Sequence, residues 1–134
     1  MAVILSESAQ DTITIGRGYA KTLKAGDVVL LKGEMGAGKT QFVKGVAQGL
    51  GIEEEILSPT YAYMNDYYGK LYHFDCYRLP NSTRAEELGL CDYFYAGGIC
   101  LVEWAENIAD VLPGKCKTVV IEKISDNARR IVYE

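Results

Sequence analysis

Residues Gly33 to Thr40 read GEMGAGKT and fit the pattern G-x-x-x-x-G-K-[ST] of a phosphate-binding loop. The apolar run 28–31 directly upstream is typical of a short buried strand. Downstream, apolar residues recur at helical spacing, at Phe42, Val43, Val46, Ala47 and Leu50. A strand, a glycine loop and a helix in this order favour an α/β fold.

The residue types in this loop suit a polyphosphate and its metal ion. Gly33, Gly36 and Gly38 allow the backbone N–H groups to turn inward, and the positive end of the next helix adds to their attraction for an anion. Lys39 would reach the β and γ phosphates, and the Thr40 hydroxyl would bind Mg²⁺. The alternative is a glycine-rich turn that carries a surface lysine.

Size and composition predict one globular domain, residues 1–134. This is short for an enzyme that must also enclose a second substrate, so a partner is expected to supply what is missing. No run reaches a transmembrane length, and the apolar stretch 2–5 is too short for a signal peptide, so we expect a cytoplasmic protein without membrane contact.

Charge and cysteine spacing argue against two kinds of site: a surface for direct nucleic-acid binding and a zinc or redox centre. A net charge of −4 and the scatter of 14 Lys and Arg residues argue against direct nucleic-acid binding. We therefore expect no DNA and only an indirect connection to RNA. The four cysteines form no C-x-x-C pair, which favours reduced, mostly buried thiols over a zinc or redox site.

Spacing and turn residues predict the remaining elements. After a first strand near 3–5, Ser8 is expected to cap a helix, and Tyr68-Gly69-Lys70 to join two strands at 61–67 and 71–76. A helix is predicted over 83–90. Further strands are predicted at 99–102, 118–121 and 130–133.

Two acids stand at the ends of apolar strands. Asp75 follows 71–74, and Glu103 follows 99–102. Ligands of α/β sheets bind at the carboxyl ends of strands, so both acids are candidates to complete a Mg²⁺ site or orient water. The alternative for each is a solvated acid at a strand end.

Other residues near these positions allow two interpretations. Ser58-Pro59-Thr60 follows the loop's helix, where Thr60 could sense the γ phosphate as a switch, or the segment could be a proline turn. For His73, the only histidine, a structural hydrogen bond is favoured over metal ligation or catalysis. For Trp104, core packing is favoured over base stacking.

Six of the ten tyrosines crowd into the predicted hairpin region. They favour either a protein interface or a hairpin packed on one face with wet tyrosines on the other. These six are Tyr61, Tyr63, Tyr67, Tyr68, Tyr72 and Tyr77.

The motifs together resemble the bacterial TsaE family in order and spacing, over nearly the whole chain. H-x-D-x-Y-R followed by a strand that ends in Glu-Trp makes the resemblance specific. Two departures are visible, Cys76 where Leu is usual and Ala105 where Pro is common, and neither replaces a chemical group of the site. The segments that carry the resemblance are 33–40, 58–61, 73–78, 86–88 and 102–104.

The resemblance implies a small ATPase that works with the TsaD and TsaB proteins to make N6-threonylcarbamoyladenosine at position 37 of tRNAs that read codons beginning with A. It implies that Thr40 and Glu103 ligate Mg²⁺ and that Asp75 is the second acid. The residues implied to bind ATP or ADP are Ala9, Gly33, Glu34, Met35, Gly36, Ala37, Gly38, Lys39, Thr40 and Arg129.

The sequence is therefore interpreted as a single P-loop NTPase-type α/β domain with a mostly parallel sheet, flanking helices and a β-hairpin insertion. We expect slow ATP hydrolysis that depends on Lys39, Thr60, Asp75 and Glu103. A small-molecule kinase and a nucleotide-sensing adaptor without turnover stay as alternatives. A kinase would need a lid and an acceptor pocket, for which this chain has no room. The absence of an N-K-x-D element argues against a GTPase.

Overall fold

The computed structural model describes residues 1–59 and 62–134. Within these residues, the strands are β1 Ala2–Ser6, β2 Val28–Lys32, β3 Met64–Tyr67, β4 Leu71–Asp75, β5 Ile99–Glu103, β6 Lys117–Lys123 and β7 Arg129–Tyr133. The α-helices are α1 Ala9–Ala20, α2 Lys39–Gly49 and α3 Ser82–Glu87, and 3-10 helices span Leu90–Tyr95 and Ala105–Val111. None of the described helices is both long enough and apolar enough to cross a membrane.

The strands form one sheet in the order β1-β7-β6-β2-β5-β4-β3. β4 and β5 are parallel, whereas the antiparallel pairs β1–β7, β6–β7 and β3–β4 lie towards the two ends of the sheet. The predicted α/β fold class, with parallel strands in the sheet, flanking helices and a β-hairpin, is confirmed. The chain forms two compact units: the first is Met1–Leu23, Leu31–Leu57 and Thr118–Glu134, and the second is Lys24–Leu30 and Ser58–Lys117.

In the first unit, α1 and α2 pack closely through glycines. The predicted cap of α1 is confirmed, because the Asp11 N–H donates to the Ser8 Oγ at 3.0 Å. A Cβ added at Gly16 would collide with the Phe42 carbonyl oxygen, and one added at Gly45 with the Ile13 carbonyl oxygen. The two helix backbones therefore approach each other at positions where only hydrogen fits.

This contact predicts opposite effects for two similar substitutions. Gly45→Ala should destabilise the fold by about 1–3 kcal/mol, since backbone atoms of α1 cannot yield to a methyl group. Gly18→Ala, on α1, meets nothing within 4 Å and should be neutral or stabilising by about 0.5–1 kcal/mol. Urea unfolding of both variants measures the difference. Equal stability of the two would contradict this packing.

In the second unit, β4 and β5 are buried along their whole length, as expected for parallel strands that are covered on both faces. The hairpin turn between β3 and β4 has positive φ at both central residues, 60° at Tyr68 and 68° at Gly69. The Asp66 carboxylate accepts the Gly69 N–H at 2.9 Å. Residues 68–70 connect the two antiparallel strands, and the Lys70 N–H donates to the Tyr67 carbonyl oxygen at 3.0 Å, so the predicted hairpin is confirmed.

Two predicted boundaries in the second unit are wrong by more than one residue. The strand predicted from residue 61 begins at Met64, because Tyr63 has a φ of 64°, outside the extended region; Tyr61 lies outside the described residues. The helix predicted to reach residue 90 ends at Glu87, because Gly89 turns left-handed with a φ of 75°.

Candidate functional site

The loop between β2 and α2 has the backbone form that its glycines predict. Gly36 and Gly38 have φ values of 82° and 97°, which residues with a side chain rarely adopt. A Cβ at Gly33 would lie 2.8 Å from the Ile121 carbonyl oxygen. Gly38 is also the N-cap of α2 and has no side chain to cap the helix. The loop and the helix start thus form a cradle of backbone groups that fits a phosphate.

Lys39 is the first residue of α2 and is only 9% exposed. Its interpretation as a surface lysine is therefore wrong, because its stem runs along the loop, with Cγ 3.5 Å from the position of a Cβ on Gly33. Thr40 is exposed at the next position. Its hydroxyl oxygen and the Glu103 carboxylate are oxygen donors of the type that Mg²⁺ prefers.

Arg129, the first residue of β7, holds the loop from outside. Its Nε donates to the Ala37 carbonyl oxygen at 2.9 Å and its Nη2 to the Gly36 carbonyl oxygen at 3.3 Å. Its Nη1 donates to the Ser125 carbonyl oxygen at 2.8 Å in the preceding turn. By binding two loop carbonyls, the guanidinium fixes two peptide planes of the loop. One of them carries the Gly38 N–H, and the other carries the Ala37 N–H, which donates to the Glu34 carbonyl oxygen at 3.0 Å.

The Arg129 contacts predict a specific loss on replacement by lysine. Arg129→Lys keeps the charge but loses the planar fork, so ADP affinity should fall about tenfold. Arg130→Lys is the matched control, since Arg130 is exposed and pairs with Glu122 at 3.2 Å. Titration of a fluorescent ADP analogue measures both. Wild-type affinity in Arg129→Lys would show that the loop holds its form without the fork.

A small cleft of about 110 Å³ lies beside the cradle. Ala9, implied by the resemblance to contact the nucleotide, lines it together with Arg129 and Gly38. Sequence reasoning missed the cleft's polar residues Gln41 and Asn127. The position of Gln41 in the first turn of α2, two residues after Lys39, was the available signal.

A larger open cleft of about 600 Å³ lies at the other end of α2. Its lining includes Glu53, Glu54 and Glu55, which are exposed as predicted for a solvated turn. None of its lining residues belongs to the loop. The smaller cleft, in contrast, includes Gly38 of the loop in its lining, so it is the candidate for the nucleotide.

In the second unit, the two candidate acids end neighbouring parallel strands. Asp75 and Glu103 are register partners of β4 and β5, and they are 9% and 8% exposed. The interpretation of either as a solvated surface acid is therefore wrong. The Asp75 Oδ1 accepts the Tyr77 N–H at 3.0 Å, and the Cys76 N–H donates to the Glu103 carbonyl oxygen at 3.0 Å. The two acids are thus adjacent, and backbone hydrogen bonds at the ends of β4 and β5 fix their positions.

The turns after these strands are fixed by polar and aromatic contacts. Asn107 donates to the carbonyl oxygens of Cys76 and Tyr77 at 2.9 and 3.3 Å. Trp104, directly after Glu103, has a φ of 58° and packs partly buried against the second unit's core. Its ring meets that of Tyr77 edge-on at 5.0 Å. The core-packing interpretation of Trp104 is confirmed.

His73 makes the structural hydrogen bond that sequence reasoning favoured. Its Nε2 is 2.5 Å from the Glu103 Oε2.

Within the two described ranges, no group of three or more His, Cys, Asp or Glu side chains could hold a metal ion. Thr60, the predicted switch, lies outside the described residues.

The tyrosines divide between core and surface. Tyr67 and Tyr72 are buried at 5% and 6% exposure, so Tyr67 is not available to a partner. Tyr68 and Tyr77 are exposed, and Tyr63 is half-buried.

The cysteines are free thiols, two buried and two half-buried. Burial raises the pKa of the Cys76 thiol to about 12, and the nearby Asp75 adds to the effect. Burial also raises the pKa of the Cys100 thiol to about 12. These two thiols stay protonated at neutral pH, so they are poor nucleophiles and poor metal ligands.

The strand, glycine cradle and helix define an α/β protein with a P-loop-like fold. Residues 6–131 match the family model described as "Threonylcarbamoyl adenosine biosynthesis protein TsaE". The chain belongs to the TsaE family, which confirms the resemblance found in the sequence.

Relatives with known names agree with this assignment. The chain is 43% identical to the tRNA threonylcarbamoyladenosine biosynthesis protein TsaE of Treponema pallidum, over 95% of this chain and 96% of that one. It is 42% identical to the protein of the same name from Bacillus subtilis, over 92% and 79% of the two chains. The crystal structure of Bacillus subtilis YdiB superposes with a TM-score of 0.81 at 37% identity, and the match covers 98% of this chain and 83% of that one.

Proposed function

We propose that this chain is a Mg²⁺-dependent ATPase that assists the TsaD–TsaB complex in the N6-threonylcarbamoyladenosine modification of tRNA at position 37. The observation that carries the proposal is the phosphate cradle at the start of α2, with left-handed Gly36 and Gly38 and a largely buried Lys39. Family membership supports the pathway, since the named relatives are tRNA threonylcarbamoyladenosine biosynthesis proteins.

The residues of the first unit would bind the nucleotide. Backbone N–H groups within 33–40 would surround the phosphates, and Lys39 would neutralise charge that develops on them. Ala9 and Arg129 contribute to the nucleotide site at the small cleft, where Arg129 also holds the loop. ADP and ATP share these contacts, so the site would bind both.

The polar residues Thr40, Asp75 and Glu103 would supply the metal site and the water. Thr40 and Glu103 ligate Mg²⁺, and Asp75 orients the attacking water or the water shell of the metal. Bound Mg²⁺ offsets negative charge on the phosphate oxygens during transfer. The position of Asp75 and Glu103 at the carboxyl ends of β4 and β5 supports these roles, because ligands of α/β sheets bind at that edge. Thr60 would be the switch that responds to the γ phosphate.

Partners complete the function. Residues 1–134 would act as one ATPase domain with slow turnover alone, and TsaD and TsaB would raise the rate. The exposed Tyr68 and Tyr77 favour such an interface, since tyrosine suits surfaces that become partly dry. Contact with tRNA would be indirect, and a role in tRNA modification implies the cytoplasm, where tRNA is used.

Incubation with ATP labelled at the γ phosphate tests the proposed reaction against two rivals. Release of labelled phosphate, with and without TsaD and TsaB, supports an ATPase. Transfer of the label to a small molecule from a metabolite mixture would identify a kinase. Tight binding and exchange of ADP and ATP, without release or transfer of the labelled phosphate, would identify an adaptor. Either the kinase result or the adaptor result would overturn the proposed ATP hydrolysis.

A further inference from the structure

The single histidine is buried in an arrangement that core packing alone does not explain. The His73 side chain on β4 is 1% exposed, and its Nδ1 has no hydrogen-bond partner among residues 1–59 and 62–134. A buried ring nitrogen without a partner weakens the folded state, and an apolar side chain of similar size would avoid that loss. The contact from Nε2 to the Glu103 Oε2 is therefore the distinctive contribution of the imidazole.

The strand register explains why histidine reaches this carboxylate. The Cα of His73 lies opposite Leu101, and that of Asp75 lies opposite Glu103. Because side chains alternate between the faces of a sheet, His73, Leu101 and Glu103 share one face. Glu103 lies two residues further along β5, so the imidazole reaches diagonally across the strand pair. The length of the side chain at position 73 is therefore important, since its donor nitrogen must extend past Leu101, the residue directly opposite, to meet the Glu103 carboxylate.

We infer that His73 is a positioning residue that orients the Glu103 carboxylate for Mg²⁺, an inference that rests on the proposed function of Glu103 as a metal ligand. The Nε2–H donates to Oε2 and holds the carboxylate in one rotamer before the metal arrives. A ligand that is already oriented loses less freedom on binding, so the metal binds more tightly. His73 itself touches neither metal nor nucleotide in this account.

Two amide variants separate this role from a general need for a polar residue. In His73→Gln the side-chain nitrogen reaches about as far as the imidazole Nε2, whereas in His73→Asn it stops near the position of Nδ1. We expect His73→Asn to weaken Mn²⁺ binding to the ADP-saturated chain about 10- to 100-fold, and His73→Gln to restore most of it. Electron paramagnetic resonance of free Mn²⁺ measures the affinity without turnover. Both variants should bind ADP without metal as the wild type does.

Glu103→Gln distinguishes failure of the inference from failure of the proposed function. If Glu103→Gln leaves Mn²⁺ affinity unchanged, Glu103 is not a metal ligand, and the proposed metal site fails together with the inference. If Glu103→Gln weakens Mn²⁺ binding but His73→Asn does not, only the positioning role is overturned. In the double variant, His73→Asn should add almost nothing to Glu103→Gln, because the carboxylate it orients is gone.

Nuclear magnetic resonance tests the same role in the unmodified chain, including the case in which His73→Asn fails to fold. Selective ¹⁵N labelling of histidine yields the ring signals of His73 alone, since the chain has one histidine. Mg²⁺ added to the ADP-saturated protein should shift the Nε2 signal, and the same addition to Glu103→Gln should not. An unchanged Nε2 signal in the wild type under saturating Mg²⁺ would overturn the inference.

Discussion

Replacing Lys39 by methionine should lower ATP affinity about 10- to 100-fold while leaving the chain folded. The reason is that Lys39 starts α2 with a largely buried stem, so methionine retains the packing and removes only the charge directed at the phosphates. Lys39→Ala should lower ATP affinity as much as Lys39→Met does. It should also lower the stability of the fold, because truncation removes the buried stem. Isothermal titration with ATP and Mg²⁺ measures affinity, and thermal unfolding measures stability.

Lys44→Met is the matched control for this prediction. Lys44 lies on the same helix, α2, but lines the larger cleft at its other end. ATP affinity in Lys44→Met should equal that of the wild type. If Lys39→Met binds ATP as well as Lys44→Met does, the glycine loop is not the phosphate site.

Replacing Glu103 by glutamine should reduce ATP turnover about 100-fold or more, since one charged group of the transition-state environment is lost. Glutamine keeps the shape of a side chain that is 8% exposed, so a loss of activity cannot be assigned to a cavity. ADP binding without metal should change little. Steady-state phosphate release and metal-free ADP titration provide the two measurements.

The exposed Glu106, three residues further along, provides the control for charge removal near the same strand end. Glu106→Gln should turn over ATP at the wild-type rate. Wild-type turnover in Glu103→Gln would transfer the metal role to Asp75 or refute the assignment of both acids.

The parts of the fold that local sequence determines were predictable. The glycine pattern of 33–40 and the apolar spacing around it predict β2, the loop and α2 because backbone geometry there depends on residue type. Asp75 and Glu103 were found because strand-end position follows from an apolar run that stops at an acid. That they are adjacent required the parallel register of β4 and β5, which no single segment encodes.

The contacts that sequence reasoning missed join residues that are distant along the chain. The Arg129 bonds to the Gly36 and Ala37 carbonyls span more than 90 positions, and sequence alone marked Arg129 only through the family resemblance. The pairing of His73 with Glu103 depends on a diagonal contact between strands. Spacing and turn residues predict an extended segment from residue 61, whereas the left-handed Tyr63 delays the start of β3 to Met64.

Phosphate release from ATP by the purified chain, with and without TsaD and TsaB, tests the central claim most directly. At saturating ATP and Mg²⁺ we expect slow release by the isolated chain and a faster rate when both partners are present, because binding that favours the competent state raises its population. Tyr68→Ser and Tyr77→Ser should reduce the stimulated rate more than the basal one. A fast isolated chain whose rate ignores both partners would contradict the account.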